Sequence, residues 1–173
     1  HVYAGDAEAS PESTLWFALL IAPLGDQPVT LTLLEGSTSL SQATQPGQTE
    51  APFLPLPSRM RETTAVVASG PGSRVAGDLL AGRTAPELSH QTWTLKPGEP
   101  TRLLRLPMPV AGLDPLLNGR NVQLRFHSSA PVAIATLAGH GQDANPPSDQ
   151  TWRTMLSQGI LSTKEHRPSP RGS

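Results

Sequence analysis

Cysteine is absent from this chain of 173 residues. Its absence excludes disulfide bonds, thiolate metal sites and cysteine catalysis. Since a secreted domain of this size can be stable without disulfides, the absence of cysteine does not identify the cellular compartment. Aromatic residues are also scarce, at 4% of the chain, and most of them fall at positions predicted to lie in the core.

Long apolar runs and a strong net charge are lacking as well. The longest apolar run, 15–22, has about eight residues, well short of the ~20 that a membrane-spanning helix needs. The net charge of −1 gives no large field for nucleic acid or an anionic membrane, so neither partner is predicted. Eleven of the thirteen cations are arginine. Genomic base composition is the simpler explanation, and selection for anion binding is the alternative.

What the chain has in abundance is turns. Its 19 prolines and 15 glycines favour short strands and loops over long helices. A unit of strand, short turn and strand recurs at 14–34, 91–106 and 121–137, and we expect each unit to form a hairpin. Residues 15–21 are apolar throughout, which indicates a strand buried on both faces. We predict a single, mainly all-β domain: an antiparallel β-sandwich of seven or eight strands.

The sequence also predicts a core, one short helix and the domain limits. The residues expected to be mostly buried are Trp16, Leu19, Ile21, Leu31, Leu33, Leu124, Phe126 and Ile134. A helix is predicted near 149–158, capped by Ser148 and docked through its Trp152 face. The segment 73–83 is predicted to be an irregular strand or a single turn, because its glycines weaken a helix. The domain is expected to span 14–162, with a loose lead-in at 1–13 and a disordered tail at 163–173.

Two long, irregular segments, 70–83 and 107–120, provide the candidate site. Loops of this length are uncommon unless they carry function or are held by side chains. We predict that they lie together at one end or edge of the sandwich and contact a partner protein or a polymer. The candidate contact residues are Arg74, Asp78, Arg83, Asp114, Asn118 and Arg120. The alternative is that these side chains only pin irregular backbone to the sandwich.

A hydrolase is the rival function. It would need His90, His127 or His140 as a base beside Asp78 or Asp114, but no GxSxG motif is present to supply the nucleophile. Scattered surface histidines are the simpler interpretation. We therefore predict that the chain is not an enzyme.

Metal and sugar sites are weaker alternatives. His127 and His140 could approach each other, yet no HxH or HExxH motif accompanies them. Asp114 and Asn118 offer too few oxygens for calcium, and Asx turns explain them better. Trp93, flanked by threonines, is the one candidate for stacking on a carbohydrate, although burial in the core is its simpler role. No cofactor and no metal ion is predicted.

Four segments resemble a known family when they are taken together. They are PVTLTLLEGSTSLSQ (28–42), GPGSRVAGDLLAGR (70–83), PMPVAGLDPLLNGR (107–120) and VQLRFHSSAPVAIATLA (122–138). In content and order they are similar to the front portion of a cyanobacterial family of unknown function, with extra residues here at 43–50. The family's members are longer and β-rich.

The resemblance implies an exported or envelope-associated protein, located in the periplasm, the envelope or outside the cell. It supplies no activity and no catalytic residue. The chain begins at His1 and shows no signal peptide, so we expect a processed product or a piece of a longer protein. The expected function is a non-catalytic structural or binding module. Its partner would be another protein, the remainder of a longer polypeptide or a polysaccharide.

Overall fold

The computed structural model describes residues 2–4, 14–42, 53–55, 66–68, 70–85, 88, 91–113, 118–141 and 145–158. Its elements, in chain order, are β1 (Val2–Ala4), β2 (Leu15–Pro23), β3 (Val29–Leu40), β4 (Phe53–Pro55), β5 (Val66–Ala68), α1 (Gly70–Leu80), β6 (Thr92–Leu95), β7 (Thr101–Met108), β8 (Arg120–Ser128), β9 (Val132–His140) and α2 (Asp149–Gln158). β1 belongs to the predicted lead-in, whereas the tail at 163–173 lies outside the described residues.

Two antiparallel sheets of three strands each form the body of the described structure. Sheet A has the order β9–β2–β7 and sheet B the order β6–β3–β8. β1 extends sheet A by pairing with β9 in parallel, and β4 and β5 form a separate two-stranded ribbon. The prediction of a mainly antiparallel β protein is therefore confirmed. The predicted strand number is wrong, since the two antiparallel sheets hold six strands rather than seven or eight.

The three strand–turn–strand units are not hairpins. In each unit the two strands belong to different sheets: β2 and β3, β6 and β7, and β8 and β9. Turn residues show that the chain reverses, but they do not show whether the second strand lies beside the first or across the core. A five-residue connection such as 24–28 is long enough to span the ~10 Å between packed sheets. The connections therefore cross from one sheet to the other.

Strand β2 is buried on both faces, as its uninterrupted apolar sequence predicts. Leu19 and Ile21 join one core cluster with Leu31 and Leu33 of sheet B. Their neighbour Leu20 joins a second cluster with Trp152 and Met155 of α2, on the opposite face of the strand. The first cluster holds sheets A and B together, and the second holds α2 on sheet A.

The predicted core is confirmed in its centre and wrong at one margin. Leu19, Ile21, Leu31 and Leu33 are at most 5% exposed. Three others are half-buried: Trp16, Leu124 and Phe126. Ile134 is 56% exposed, because β1 pairs with β9 only at residues 137–139. At Ile134, β9 is therefore a sheet margin within the described structure.

Helix α2 confirms the prediction for 149–158. The Ser148 hydroxyl accepts a hydrogen bond from the backbone N–H of Thr151 (3.1 Å), which is the geometry of an N-cap. Trp152 is fully buried and Met155 almost so. The guanidinium of Arg102 on β7 donates to Asp149 in the first turn. That ion pair fixes the start of the helix on sheet A.

Candidate functional site

Helix α1 replaces the irregular strand or single turn predicted for 73–83. Pro71 stands in its first turn, where a missing N–H costs nothing. Val75 is fully buried, and α1 lies against β3 and β8 of sheet B. The helix ends at Leu80, and Gly82 just after it has a φ of 65°, the left-handed conformation common after helix C-termini. Docking on the sheet outweighs the low helix propensity of Gly77, which the sequence alone cannot show.

Asp78 on α1 is the centre of the candidate site. It is a buried charged residue of the described structure, at 7% exposure for the residue as a whole. Oδ2 accepts hydrogen bonds from the Ser37 hydroxyl of β3 (3.0 Å) and from Arg74 Nε (3.2 Å). Oδ1 accepts one from Arg83 Nε (2.9 Å) and a longer one from Arg74 Nε (3.3 Å). A single carboxylate thus joins the helix, Arg83 in the segment after it, and sheet B. We call Arg74, Asp78 and Arg83 the arginine–aspartate cluster.

The charge of Asp78 is stabilised by this environment. Burial alone would raise the pKa of its carboxyl group, but the hydrogen bonds from Arg83, Ser37 and Arg74 outweigh burial and lower the pKa below 3.8. Asp78 is therefore ionised at neutral pH. Since two arginines surround one carboxylate, the arginine–aspartate cluster carries a net charge of +1.

A small cavity of about 140 Å³ opens at the cluster. Its lining includes Ser37 and Thr38 of β3, Thr84 and the three members of the cluster. The side chains of Arg74 and Arg83 are 39% and 63% exposed, while that of Asp78 is 9% exposed. The aspartate therefore lies below the two guanidinium groups, which face solvent.

The predicted site residues of the second segment have a different role. Asn118 donates to the backbone oxygens of Pro109 (2.7 Å) and Gln42 (2.9 Å). Arg120 on β8 donates to the backbone oxygen of Pro107 on β7 (2.8 Å) and to the Thr38 hydroxyl (2.8 Å). These contacts tie sheet B to sheet A. They match the alternative interpretation, in which the side chains are structural pins.

The two groups of site residues meet at neighbouring positions of one strand. Asp78 contacts Ser37, and Arg120 contacts Thr38. The structure therefore brings Arg74, Asp78 and Arg83 together in one cluster, and places Arg120 beside it through β3. Asp114 lies outside the described residues.

Neither described histidine is among the residues that bind the carboxylate of the cluster. His127 pairs with Thr32 of β3, and Ser37 lies five residues further along that strand, which corresponds to roughly 15 Å. His140 lies on sheet A, opposite Leu15. His90 is outside the described residues. The geometry of a hydrolase with Asp78 beside His127 or His140 is not present.

Trp93 does not stand out from the surface as a stacking platform. It is half-buried and packs against the core cluster between the sheets, while its neighbours Thr92 and Thr94 are exposed. Its position fits the simpler of its two predicted roles.

In the part of the chain that the structure describes, no group of three or more His, Asp or Glu side chains is arranged to hold a metal ion. Neither of the two described helices is long and apolar enough to cross a membrane.

Ser37 and Thr38 are the site residues that the sequence analysis missed. Both are buried although they are polar. The signal was the run of small polar residues at 37–39, where the apolar alternation of β3 stops. Buried hydroxyl groups need hydrogen-bond partners, so such a run inside a strand indicates that polar side chains pack against it.

Comparison with known proteins finds one family. A family model described as "Protein of unknown function (DUF3370)" matches residues 1–173. No curated protein and no solved structure matches the chain.

Proposed function

We propose that this chain, which belongs over residues 1–173 to the DUF3370 family of unknown function, is a non-catalytic binding module of a larger extracytoplasmic or envelope-associated protein. Its contact surface is the arginine–aspartate cluster, formed by α1 and the segment that follows it. The ligand is a carboxylate group of a partner protein or of an acidic polysaccharide.

The observation that carries this proposal is the way in which Asp78 holds two solvent-facing arginines. Its contacts engage Nε of Arg74, and Nε and Nη2 of Arg83. A guanidinium has five N–H donors, so each arginine keeps donors that an incoming ligand can use. Because Asp78 orients both side chains, less side-chain entropy is lost when a ligand binds.

The net charge of the cluster and the shape of its donors favour a carboxylate as ligand. Arginine binds carboxylates through two parallel N–H···O bonds, and such charge-assisted bonds are among the stronger hydrogen bonds in proteins. Ser37, Thr38 and Thr84 line the same cavity. The hydroxyl groups of Ser37 and Thr38 already donate to Asp78 and to the backbone oxygen of Asn121, so the two guanidinium groups supply the donors for the ligand.

The rival functions have less support from the geometry. A hydrolase needs a base next to its acid, whereas Asp78 is surrounded by arginines and a serine. A carbohydrate module that relies on ring stacking needs an exposed aromatic face, and Trp93 packs against the core. An acidic polymer bound through arginines does not need such a ring.

Calorimetric titration with polygalacturonate, a carboxylated polysaccharide, tests the proposal. We expect binding by the unmodified chain, and at least tenfold weaker binding after Arg83→Ala or Arg74→Ala, because each variant removes a charge-assisted contact. Arg153→Ala is the matched control. Arg153 is also partly exposed and paired with an acid, Glu99 (2.9 Å), but it lies on α2, and its loss should leave binding unchanged.

Two results would overturn the proposal. One is an equal loss of binding in the Arg153 control, which would indicate attraction by any surface charge. The other is no binding of the carboxylated polymer at low ionic strength. Neutral dextran is the control ligand and should bind neither the unmodified chain nor the variants. Thermal unfolding of each variant shows whether the fold is retained.

The extracytoplasmic location rests on the family resemblance. Fractionation of the native cells, followed by detection of the protein with an antibody, tests it. Recovery in the periplasmic, envelope or secreted fraction is expected, and recovery in the cytosolic fraction alone would contradict it.

A further inference from the structure

Strand β8 forms one edge of sheet B. Among the described residues it pairs with β3 alone, and it runs for nine residues, Arg120–Ser128. A long edge strand carries unpaired backbone N–H and C=O groups, which are a template for another strand. The edge is therefore a surface where a partner strand can add.

The backbone geometry shows which residues face outward along this edge. The backbone N–H of Ser129 donates to the oxygen of Thr30 on β3 (3.0 Å). Because backbone groups alternate between the two sides of a strand, the odd-numbered residues of β8 turn their N–H and C=O groups to β3. Val122, Leu124 and Phe126, in the middle of the strand, turn theirs to the open edge.

The side chains of β8 are complementary to a second copy of the same strand. In an antiparallel pair with a two-fold axis at Leu124, Gln123 lies opposite Arg125 of the other copy, and Val122 lies opposite Phe126. No like charges face each other, and each polar residue meets a polar one. A two-fold interface requires this kind of self-complementary surface. Leu124 itself has the outward backbone groups that the central pair of such a ladder needs.

An open groove lies beside the same point of the strand. It has a volume of about 660 Å³ and is lined by Leu79 and Leu80 of α1 and by the middle of β8, 122–125. Leu80 is 90% exposed, although it is a large apolar residue. A two-fold axis perpendicular to the sheet places the α1 helices of both copies on the same face, on either side of the axis. The second copy then covers Leu80 and fills the groove.

We propose that the protein forms a two-fold dimer in which the β8 strands of two copies pair about Leu124 and join their B sheets into one. This inference does not depend on carboxylate binding, and its tests need no ligand.

Cysteine cross-linking tests the register directly, because the chain contains no cysteine of its own. Gln123→Cys and Arg125→Cys are made as two separate single variants of the full chain. Residues 123 and 125 are both exposed, and in the proposed pair each faces the other across the axis at a distance that a disulfide can bridge. Under mild oxidation, the mixture of the two variants should form disulfide-linked dimers several-fold faster than either variant alone.

Association in solution tests the interface without cross-links. By sedimentation equilibrium, we expect Gln123→Arg to raise the dimer dissociation constant about tenfold, because it creates two pairs of facing like charges. Gln123→Glu should lower it, because each new carboxylate then faces Arg125. Leu80→Asp should also weaken the dimer, whereas the same change at Leu24, 67% exposed in the turn after β2, should not.

The outcomes separate the proposal from its alternatives. A chain that stays monomeric at all concentrations would overturn it, as would cross-linking of each single variant at the same rate as the mixture. Equal effects of Gln123→Arg and Gln123→Glu would overturn the register. Circular dichroism of each variant shows that the fold is intact, so a loss of association cannot be attributed to unfolding.

Discussion

Asp78 is the residue on which the candidate surface depends. It is nearly buried, and two arginines and a serine hold its charge. Buried carboxylates without such partners are costly, so the contacts both stabilise α1 on sheet B and orient Arg74 and Arg83. The sequence analysis identifies both arginines and Asp78 as candidate contact residues. It does not identify Ser37, which donates to the Asp78 carboxylate from β3, because no local pattern indicates a partner so far along the chain.

Replacement of Asp78 tests this structural role. Asp78→Asn removes the charge and one acceptor for the arginines, and should lower the free energy of unfolding by about 1–2 kcal/mol at pH 7. Because the pKa of Asp78 is lowered in the folded state, its contribution is present above the unfolded value of 3.8 and is lost as the pH falls through the folded pKa. The difference between the two proteins should therefore shrink below about pH 4.

Urea unfolding of both proteins between pH 2.5 and pH 7 measures this difference. Asp26→Asn, in an exposed turn, is the control and should change stability little at any pH. A difference between Asp78→Asn and the unmodified chain that is the same at pH 2.5 and pH 7 would contradict the argument.

At the scale of elements, the two helices differ in how far the sequence determines them. Helix α2 could be predicted because Ser148 caps it and Trp152 and Met155 share one face. Helix α1 could not, because its stability comes from Val75 and Asp78 packing on sheet B and not from its glycine-rich sequence. The sequence of α1 therefore determines its helical structure to a much smaller extent than the sequence of α2 does.

The docking of α2 depends on a residue without a side chain. A Cβ atom at Gly139 of β9 would lie 2.7 Å from Met155 Cε and 3.3 Å from Trp152 Cζ3. Gly139→Val should therefore push the helix from the sheet and destabilise the protein by about 1–3 kcal/mol. Backbone amides of 151–158, protected from hydrogen exchange in the unmodified protein, should exchange faster.

A matched variant separates this steric effect from the general effect of replacing a glycine. Gly25 has nothing within 4 Å of the Cβ that it lacks, so Gly25→Val should leave the protection of α2 unchanged. If the amides of α2 exchange equally fast in the unmodified protein and in Gly139→Val, the helix is not docked in the way described.

For the whole molecule, the fold class was predictable and the strand pairing was not. Alternating strands and Pro/Gly turns indicate antiparallel β structure, and the apolar run 15–21 correctly predicts a strand buried on both faces. The pairing partners of β2 are β7 and β9, far along the chain, whereas local patterns favour the adjacent β3. Each turn reverses the chain in either arrangement, so only the packing of the complete core decides between them.

The core cluster shared by the two sheets can be tested with one pair of variants. Leu19 is 5% exposed and contributes to the cluster between the sheets, while Ile134 is 56% exposed. Leu19→Ala should cost about 2–5 kcal/mol, because it removes buried apolar groups and leaves a cavity. Ile134→Ala should cost much less. Thermal or urea unfolding measures both, and similar losses for the two variants would contradict the described core.

The most direct test of the central claim is an NMR titration that observes the Nε–Hε signals of Arg74, Arg83 and Arg153 while oligogalacturonate is added. The account predicts that the signals of Arg74 and Arg83 shift together and saturate with the same dissociation constant, while that of Arg153 stays in place. Shifts of equal size at all three arginines, or no shift at Arg74 and Arg83, would contradict it.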